Sequence, residues 1–252
     1  MLVSAPLTGA EQRPVLSLVI DDLGYSFKQG KAALNLKGDH TYAIIPGTTY
    51  GKKLAALADK NSREIILHLP LQALNVRAAA ESNTLTESMN EDQITLNTVA
   101  MLSEFPNIKG INNHMGSHLT QISYFMRPIM ESIKAYRSQL YFLDSVTTSR
   151  SIAHIEALNS GLDSVRRDFF LDNDHTNPES IKLQFNFWLK KARDTGSAVA
   201  IGHPHPGTLA LLTENLPLLE NDYRFMRISQ LISAAKKAGE PIKAEAYLSK
   251  LE

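Results

Sequence analysis

The chain has 252 residues, 43% apolar and 21% charged, which is the balance of a globular protein with a full core and excludes a disordered or fibrous chain. Lysine plus arginine total 26, as do aspartate plus glutamate, so no overall field gathers nucleic acid or an anionic membrane. The lack of cysteine excludes disulfides, thiolate nucleophiles and cysteine-bound zinc, so any metal must use His, Asp or Glu.

Residues 1–12 lack the basic start and apolar stretch of a complete secretory signal and are expected to form a disordered leader ahead of a single domain over 13–252. No apolar run approaches the ~20 residues needed to cross a bilayer, so no transmembrane segment is expected. From Val15 onward, short β-branched runs alternate with longer amphipathic segments, which predicts strand-helix units around a mostly parallel sheet. Strands are predicted at 15–20, 41–45, 64–69, 109–111, 140–143, 164–169, 198–201 and 224–228. Helices are predicted at 50–60, 91–105, 123–137, 151–159, 178–195, 208–219 and 229–238. Asn177 before Pro178 reads as a helix cap followed by proline in the first turn, and Gly161, Gly196 and Gly239 stand where helices should stop. The segment 70–90, rich in Ser, Thr, Asn and Ala, is the one long connection without a clear period.

In parallel α/β folds the chemistry gathers at the carboxyl ends of the strands, where the strand-to-helix loops converge. Those ends carry Asp21 and Asp22, His68, His114, Asp144, Asp168 or Asp172, and His203 with His205. Each aspartate taken singly also reads as a turn residue capping backbone amides. Taken jointly they bring carboxylates and imidazoles to one rim, the groups that a metal ion and an acid/base pair require.

The sharpest element is His114-Met115-Gly116-Ser117-His118. On a helical turn, residues four apart lie ~5–6 Å apart at Cβ, so both imidazoles reach one metal; the alternative is two unrelated surface histidines. Asp21 and Asp22 follow the apolar run Leu16 to Ile20, and adjacent carboxylates there repel each other unless a cation offsets the charge. The other reading has one aspartate capping the next helix and one facing solvent.

With these residues in view, the sequence resembles the polysaccharide deacetylase superfamily, and specifically its divergent polysaccharide deacetylase branch, from about Pro14 to Leu231. The resemblance rests on Val19-Ile20-Asp21-Asp22-Leu23-Gly24, Ile66-Leu67-His68-Leu69-Pro70-Leu71, Asn112-Asn113-His114-Met115-Gly116-Ser117-His118, Phe142-Leu143-Asp144-Ser145 and Ala200-Ile201-Gly202-His203-Pro204-His205-Pro206. It implies a distorted (β/α) barrel of about seven parallel strands and a divalent metal, zinc by preference, on Asp22, His114 and His118. It further implies Asp21 as the base, His203 as the acid, and His68, Asp144 and His205 on the same rim. The implied substrate is an N-acetylated glycan, and the implied location is the periplasm or cell envelope. This chain departs from the superfamily pattern at Met115 and Leu119, and the usual Arg-Pro motif of the fifth strand is replaced by residues 144–150. Arg150, Arg166 and Arg167 are the candidates to substitute. Two other functions fit the same residues: a metal-containing barrel that binds an envelope glycan without turnover, and a hydrolase of another ester or phosphoester.

Overall fold

A computed structural model describes residues 13–75 and 81–238; the leader expected at 1–12 and the helix stop expected at Gly239 lie outside the described residues. Strands β1 (Val15–Leu23), β2 (Thr41–Ile44), β3 (Glu64–Leu71), β4 (Gly110–Met115), β5 (Tyr141–Asp144), β6 (Asp163–Arg166), β7 (Phe169–Phe170), β8 (Ser197–Gly202) and β9 (Arg224–Phe225) form one sheet. They alternate with helices α1 (Phe27–Leu34), α2 (Gly51–Lys60), α3 (Glu91–Ser103), α4 (Ser123–Tyr136), α5 (Ala153–Asn159), α6 (Pro178–Thr195), α7 (Pro206–Asn215) and α8 (Ile228–Lys237). All strand pairings are parallel, in the order β6-β5-β4-β3-β2-β1-β8-β7, with β9 pairing β1. The result is the distorted single-domain (β/α) barrel the sequence implied, a curled half-barrel with eight strands along its path.

The sheet stays open between β6 and β7, where the predicted strand 164–169 breaks in two. Arg167 N donates to Asp144 O at 3.1 Å, and Asp168 N donates to Val199 O at 2.8 Å, so the chain leaves one edge and joins the other. Helix α1 was not predicted. It is a short amphipathic helix of 8 residues, about two turns, capped by Ser26 Oγ accepting from Gln29 N, and Gly30 on its buried face obscures the apolar period.

Strand alternation builds two separate apolar layers. Leu16, Leu18 and Ile20 of β1, Leu67 and Leu69 of β3 and Phe142 of β5 face outward beneath the helices, in the main core with Trp188 and Met130. Val19, Ala43, Ile66, Leu143, Val199 and Ile201 face inward and fill the barrel. The amino ends of the strands are closed by α8, whose Ile228 and Ile232 belong to the inner layer. That helix is pinned by Ile228 N donating to Thr41 Oγ1 at 3.0 Å and Ser229 N donating to the buried Glu64 at 3.2 Å. The carboxyl ends are left for polar groups. Among the described residues no helix is long and apolar enough to cross a membrane.

Candidate metal centre

On five strands the last inward-facing residue of the barrel is followed, two positions later, by a polar side chain of the site. Val19 precedes Asp21, Ile66 precedes His68, Leu143 precedes Ser145, Ile201 precedes His203, and on β4 Asn112 precedes His114. Period-2 continuation of the inner layer therefore places a polar ring on top of the apolar one.

Asp22 is the exception, because a regular strand would turn it to the opposite face from Asp21. The pairing of β1 with β2 slips between Ile20 and Leu23, and Asp22 takes φ 56°, in the left-handed region. This bulge brings both carboxylates to one imidazole: His68 Nε2 lies 3.1 Å from Asp22 Oδ1 and 3.6 Å from Asp21 Oδ2.

Asp22 Oδ1, His68 Nε2 and His114 Nδ1 form a nearly regular triangle. Its sides are 3.1 Å (Asp22 to His68), 3.0 Å (Asp22 to His114) and 3.2 Å (His68 to His114). A tetrahedral ion with bonds of ~2.0–2.1 Å has ligand atoms roughly 3.3–3.4 Å apart, so the three donors stand close to the spacing a zinc-type cation demands. The buried Asp22 Oδ1 also accepts no well-aligned hydrogen bond among the described residues. Burial opposes ionisation of Asp22, yet His114 and His68 hold its carboxyl well below the usual range. One carboxylate and two imidazoles with a side left open fit a divalent cation.

Two groups flank the triangle. Asp21 is buried, and burial, helped by the charge of Asp22, pushes its pKa up against the opposing pull of His68 and His203. A carboxylate tuned upward is a better proton acceptor near neutral pH. On the other side, His203 Nε2 lies 3.9 Å from Asp22 Oδ2. Its Nδ1–H donates to Asp172 Oδ1 at 2.8 Å, while Asp172 Oδ2 accepts from His203 N at 2.8 Å and Thr208 Oγ1 at 2.7 Å. Burial lowers the His203 pKa, but Asp172, Asp22 and Asp21 together outweigh it and bring it to about 9. These carboxylates favour the protonated ring. Phe170 stacks on it at 5.8 Å, and Arg167 lies over the Phe170 ring at 3.7 Å.

The structure corrects the basis on which His118 was paired with His114. His114 stands on strand β4, and the next two residues, Met115 (φ 53°) and Gly116 (φ 87°), are left-handed, so no helical turn joins the two histidines. His118 instead precedes a short 3-10 helix at Leu119–Gln121, and its Nε2 lies 2.6 Å from Glu87 Oε2. Glu87 is itself held by Gln72, which accepts from Glu87 N at 2.8 Å. The place beside His114 belongs to His68, which the sequence had put on the rim.

The remaining rim residues divide cleanly. Asp144 is buried but folds back on its own loop, accepting from Val146 N at 2.8 Å and Ser151 Oγ at 2.9 Å, the capping role that single aspartates serve. Asp168 likewise accepts from Val199 N at 2.8 Å and seals the barrel edge, leaving Asp172 as the one of that pair that contacts His203. His205 sits at the rim, 5.9 Å from His203 between ring centres and stacked on His175 at 4.1 Å. Arg167 donates to Ser145 O at 2.6 Å and Val146 O at 2.8 Å, supporting the β5 loop, where Val146 is left-handed at φ 49°. Sequence reasoning missed Asn112, which stands within a quoted motif; its sharing of a strand face with His114 was the available signal.

Comparison with known proteins identifies the family and the fold. The family model for divergent polysaccharide deacetylase matches residues 18–232. The uncharacterized protein YibQ of Escherichia coli (strain K12) is 34% identical over 218 residues, spanning 86% of this chain and 67% of that one. An uncharacterized protein of Haemophilus influenzae is 32% identical over 216 residues, spanning 86% of this chain and 76% of that one. A crystal structure of an uncharacterized protein from Agrobacterium tumefaciens C58 has the same fold, with a TM-score of 0.79 at 19% identity over 90% of this chain and 92% of that one.

Proposed function

This chain belongs to the divergent polysaccharide deacetylase family, and from that premise we propose that it is a metal-dependent hydrolase that removes acetyl groups from an N-acetylated glycan of the cell envelope, acting in the periplasm. The observation that carries the reading is the triangle of Asp22, His68 and His114, with sides of 3.0 to 3.2 Å, set between a carboxylate and a protonated imidazole.

A divalent cation bound by those three residues, zinc by preference, supplies Lewis acidity that polarises an acetamide carbonyl and makes water more acidic. The protein's own groups do the rest. Asp21, on one flank, accepts the proton of the attacking water. His203, on the other flank, donates its Nε2 proton to the leaving amine nitrogen, while Asp172 keeps Nδ1 protonated and the ring in place. A cleft lined by Gly24, Tyr25, Gln29, Pro204 and His205 opens beside Asp22 and His203, and Tyr25 is half exposed there, an aromatic face suited to a sugar ring. Neutral net charge suits an uncharged polymer.

Acetate release from N-acetylated oligosaccharides tests the reading. Zinc-loaded protein should turn over, and both chelation and Asp21→Asn should abolish turnover, the variant retaining its zinc. Zinc-replete protein that releases no acetate from any such substrate would overturn the proposal.

A further inference from the structure

Asn112 lies at the middle of the site, wholly buried, and its amide makes four polar contacts, all to the side chains of three residues. Its Oδ1 is 2.8 Å from His68 Nδ1. Its Nδ2 donates to both oxygens of Asp21, at 2.9 and 3.0 Å, and lies 3.2 Å from Ser145 Oγ. Asn113 next to it differs: its Nδ2 donates to Met115 O and its Oδ1 accepts from Ser145 N, so both contacts hold backbone of the surrounding loops.

The chemistry of an amide settles what each contact means. The Asn112 nitrogen carries two hydrogens and accepts nothing, whereas its oxygen only accepts. Rotating the amide by half a turn would set its oxygen against the Asp21 carboxylate, two acceptors with no proton between them, so the orientation is determined by the network. With Oδ1 on His68, the imidazole must be the donor, and the Nδ1 proton is tied there. The other ring nitrogen, Nε2, is then the one presented to Asp22 and His114. One side chain thus sets the face that His68 shows and the position that Asp21 holds.

We infer that Asn112 is the positioning residue of this centre: its amide oxygen holds His68 with Nε2 turned to the metal-binding triangle, and its amide nitrogen holds the Asp21 carboxylate beside it. The inference rests on the reading of the site given under Proposed function. Outer partners that orient a ligating histidine raise metal affinity by about 10- to 100-fold, which sets the scale of the expected effect. The two tasks are separable by substitution. Asn112→Asp keeps an oxygen for His68 in the same shape but turns a second carboxylate toward Asp21. Asn112→Ala removes both.

The experiment has three readouts. Long-range proton-nitrogen NMR of the metal-free wild type should show a slowly exchanging proton on His68 Nδ1, absent in Asn112→Ala. Zinc affinity, measured by chelator competition, should fall by about 10- to 100-fold in Asn112→Ala and stay within about tenfold of wild type in Asn112→Asp. Acetate release should be lost in both. A His68 ring with its proton on Nε2 and a bare Nδ1 would overturn the inference, as would wild-type zinc affinity in Asn112→Ala or wild-type turnover in Asn112→Asp. If Asn112→Ala does not fold, the wild-type spectrum and the isosteric Asn112→Asp decide. A wild type that shows the Nδ1 proton but neither binds zinc nor releases acetate would sink the proposed function and leave the placement of His68 by Asn112 standing.

Discussion

Asp22 Oδ1 lies 3.0 Å from Nδ1 of His114, although their strands, β1 and β4, are separated in the sheet by β2 and β3. The contact depends on departures from regular strand at both ends. Asp22 is left-handed at φ 56°, and Met115, directly after His114, is left-handed at φ 53°. For residues other than glycine that conformation costs about 1–2 kcal/mol each.

Backbone strain and the attraction of its carboxylate to two histidines should therefore oppose each other at Asp22. Asp22→Gly relieves the backbone strain and removes a buried carboxylate oxygen without a well-aligned donor. In metal-free protein the relief of strain offsets the lost attraction of the carboxylate to His68 and His114, so the variant should melt within ~2–4 °C of the wild type, while zinc no longer stabilises it. Thermal melts with and without zinc check this; a metal-free variant that melts far below the wild type would count against strain at Asp22.

The ligand set makes a sharp prediction between two histidines. His68→Ala should lower zinc affinity by at least about a hundredfold, and His118→Ala, which loses a contact with Glu87, should change it less than about threefold. Equal losses in the two variants, measured by chelator competition, would return His118 to the coordination sphere.

Asp172 should matter through His203. Asp172→Asn keeps the size of the side chain but offers a neutral amide where His203 Nδ1–H and Thr208 Oγ1 now find a carboxylate. Turnover should drop by about 10²–10³ with substrate KM and zinc affinity close to wild type, because general acid catalysis contributes on that order. A change in KM alone would assign Asp172 to substrate binding.

His40 supplies a pH dependence far from the metal centre. Burial, with Arg63 adding to it, brings its pKa down to about 4. Its Nε2–H donates to Lys37 O at 2.7 Å, its ring meets Phe225 edge-on at 5.3 Å, and its buried Nδ1 has no partner among the described residues. The unfolded chain binds a proton at His40 near pH 6.5, well before the folded protein does. The stability that neutral His40 contributes is thus complete above about pH 6.5 and is lost as pH falls toward 4, for a total of about 3 kcal/mol. Urea melts from pH 7.5 to 4.5 should show a steeper fall for wild type than for His40→Gln; parallel curves would show that His40 does not carry the acid sensitivity.

Much of this molecule was legible in its residues because periodicity records which face of a strand is buried. The apolar runs of β1, β3 and β8, each ending in Asp or His, are enough to place Asp21, Asp22, His68 and His203 at one rim. Asn177 with Pro178 and the left-handed Gly196 marked both ends of α6 where it forms. Helix α1 was missed because a short helix with glycine on its buried face leaves little period to read. The break at Arg167 and Asp168 was missed because it depends on hydrogen bonds to two different strands.

Local sequence determined the strands, the helices and the residue types gathered at the carboxyl end of the barrel, since these follow from alternation and from capping within a few positions. Tertiary structure decided which of those residues meet. Two left-handed residues after His114 send His118 to Glu87, a bulge at Asp22 turns two adjacent carboxylates to one centre, and Asn112 orients His68 from the next strand. Spacing along a chain predicts a shared face only where the backbone stays regular, and at this site it is irregular on both sides.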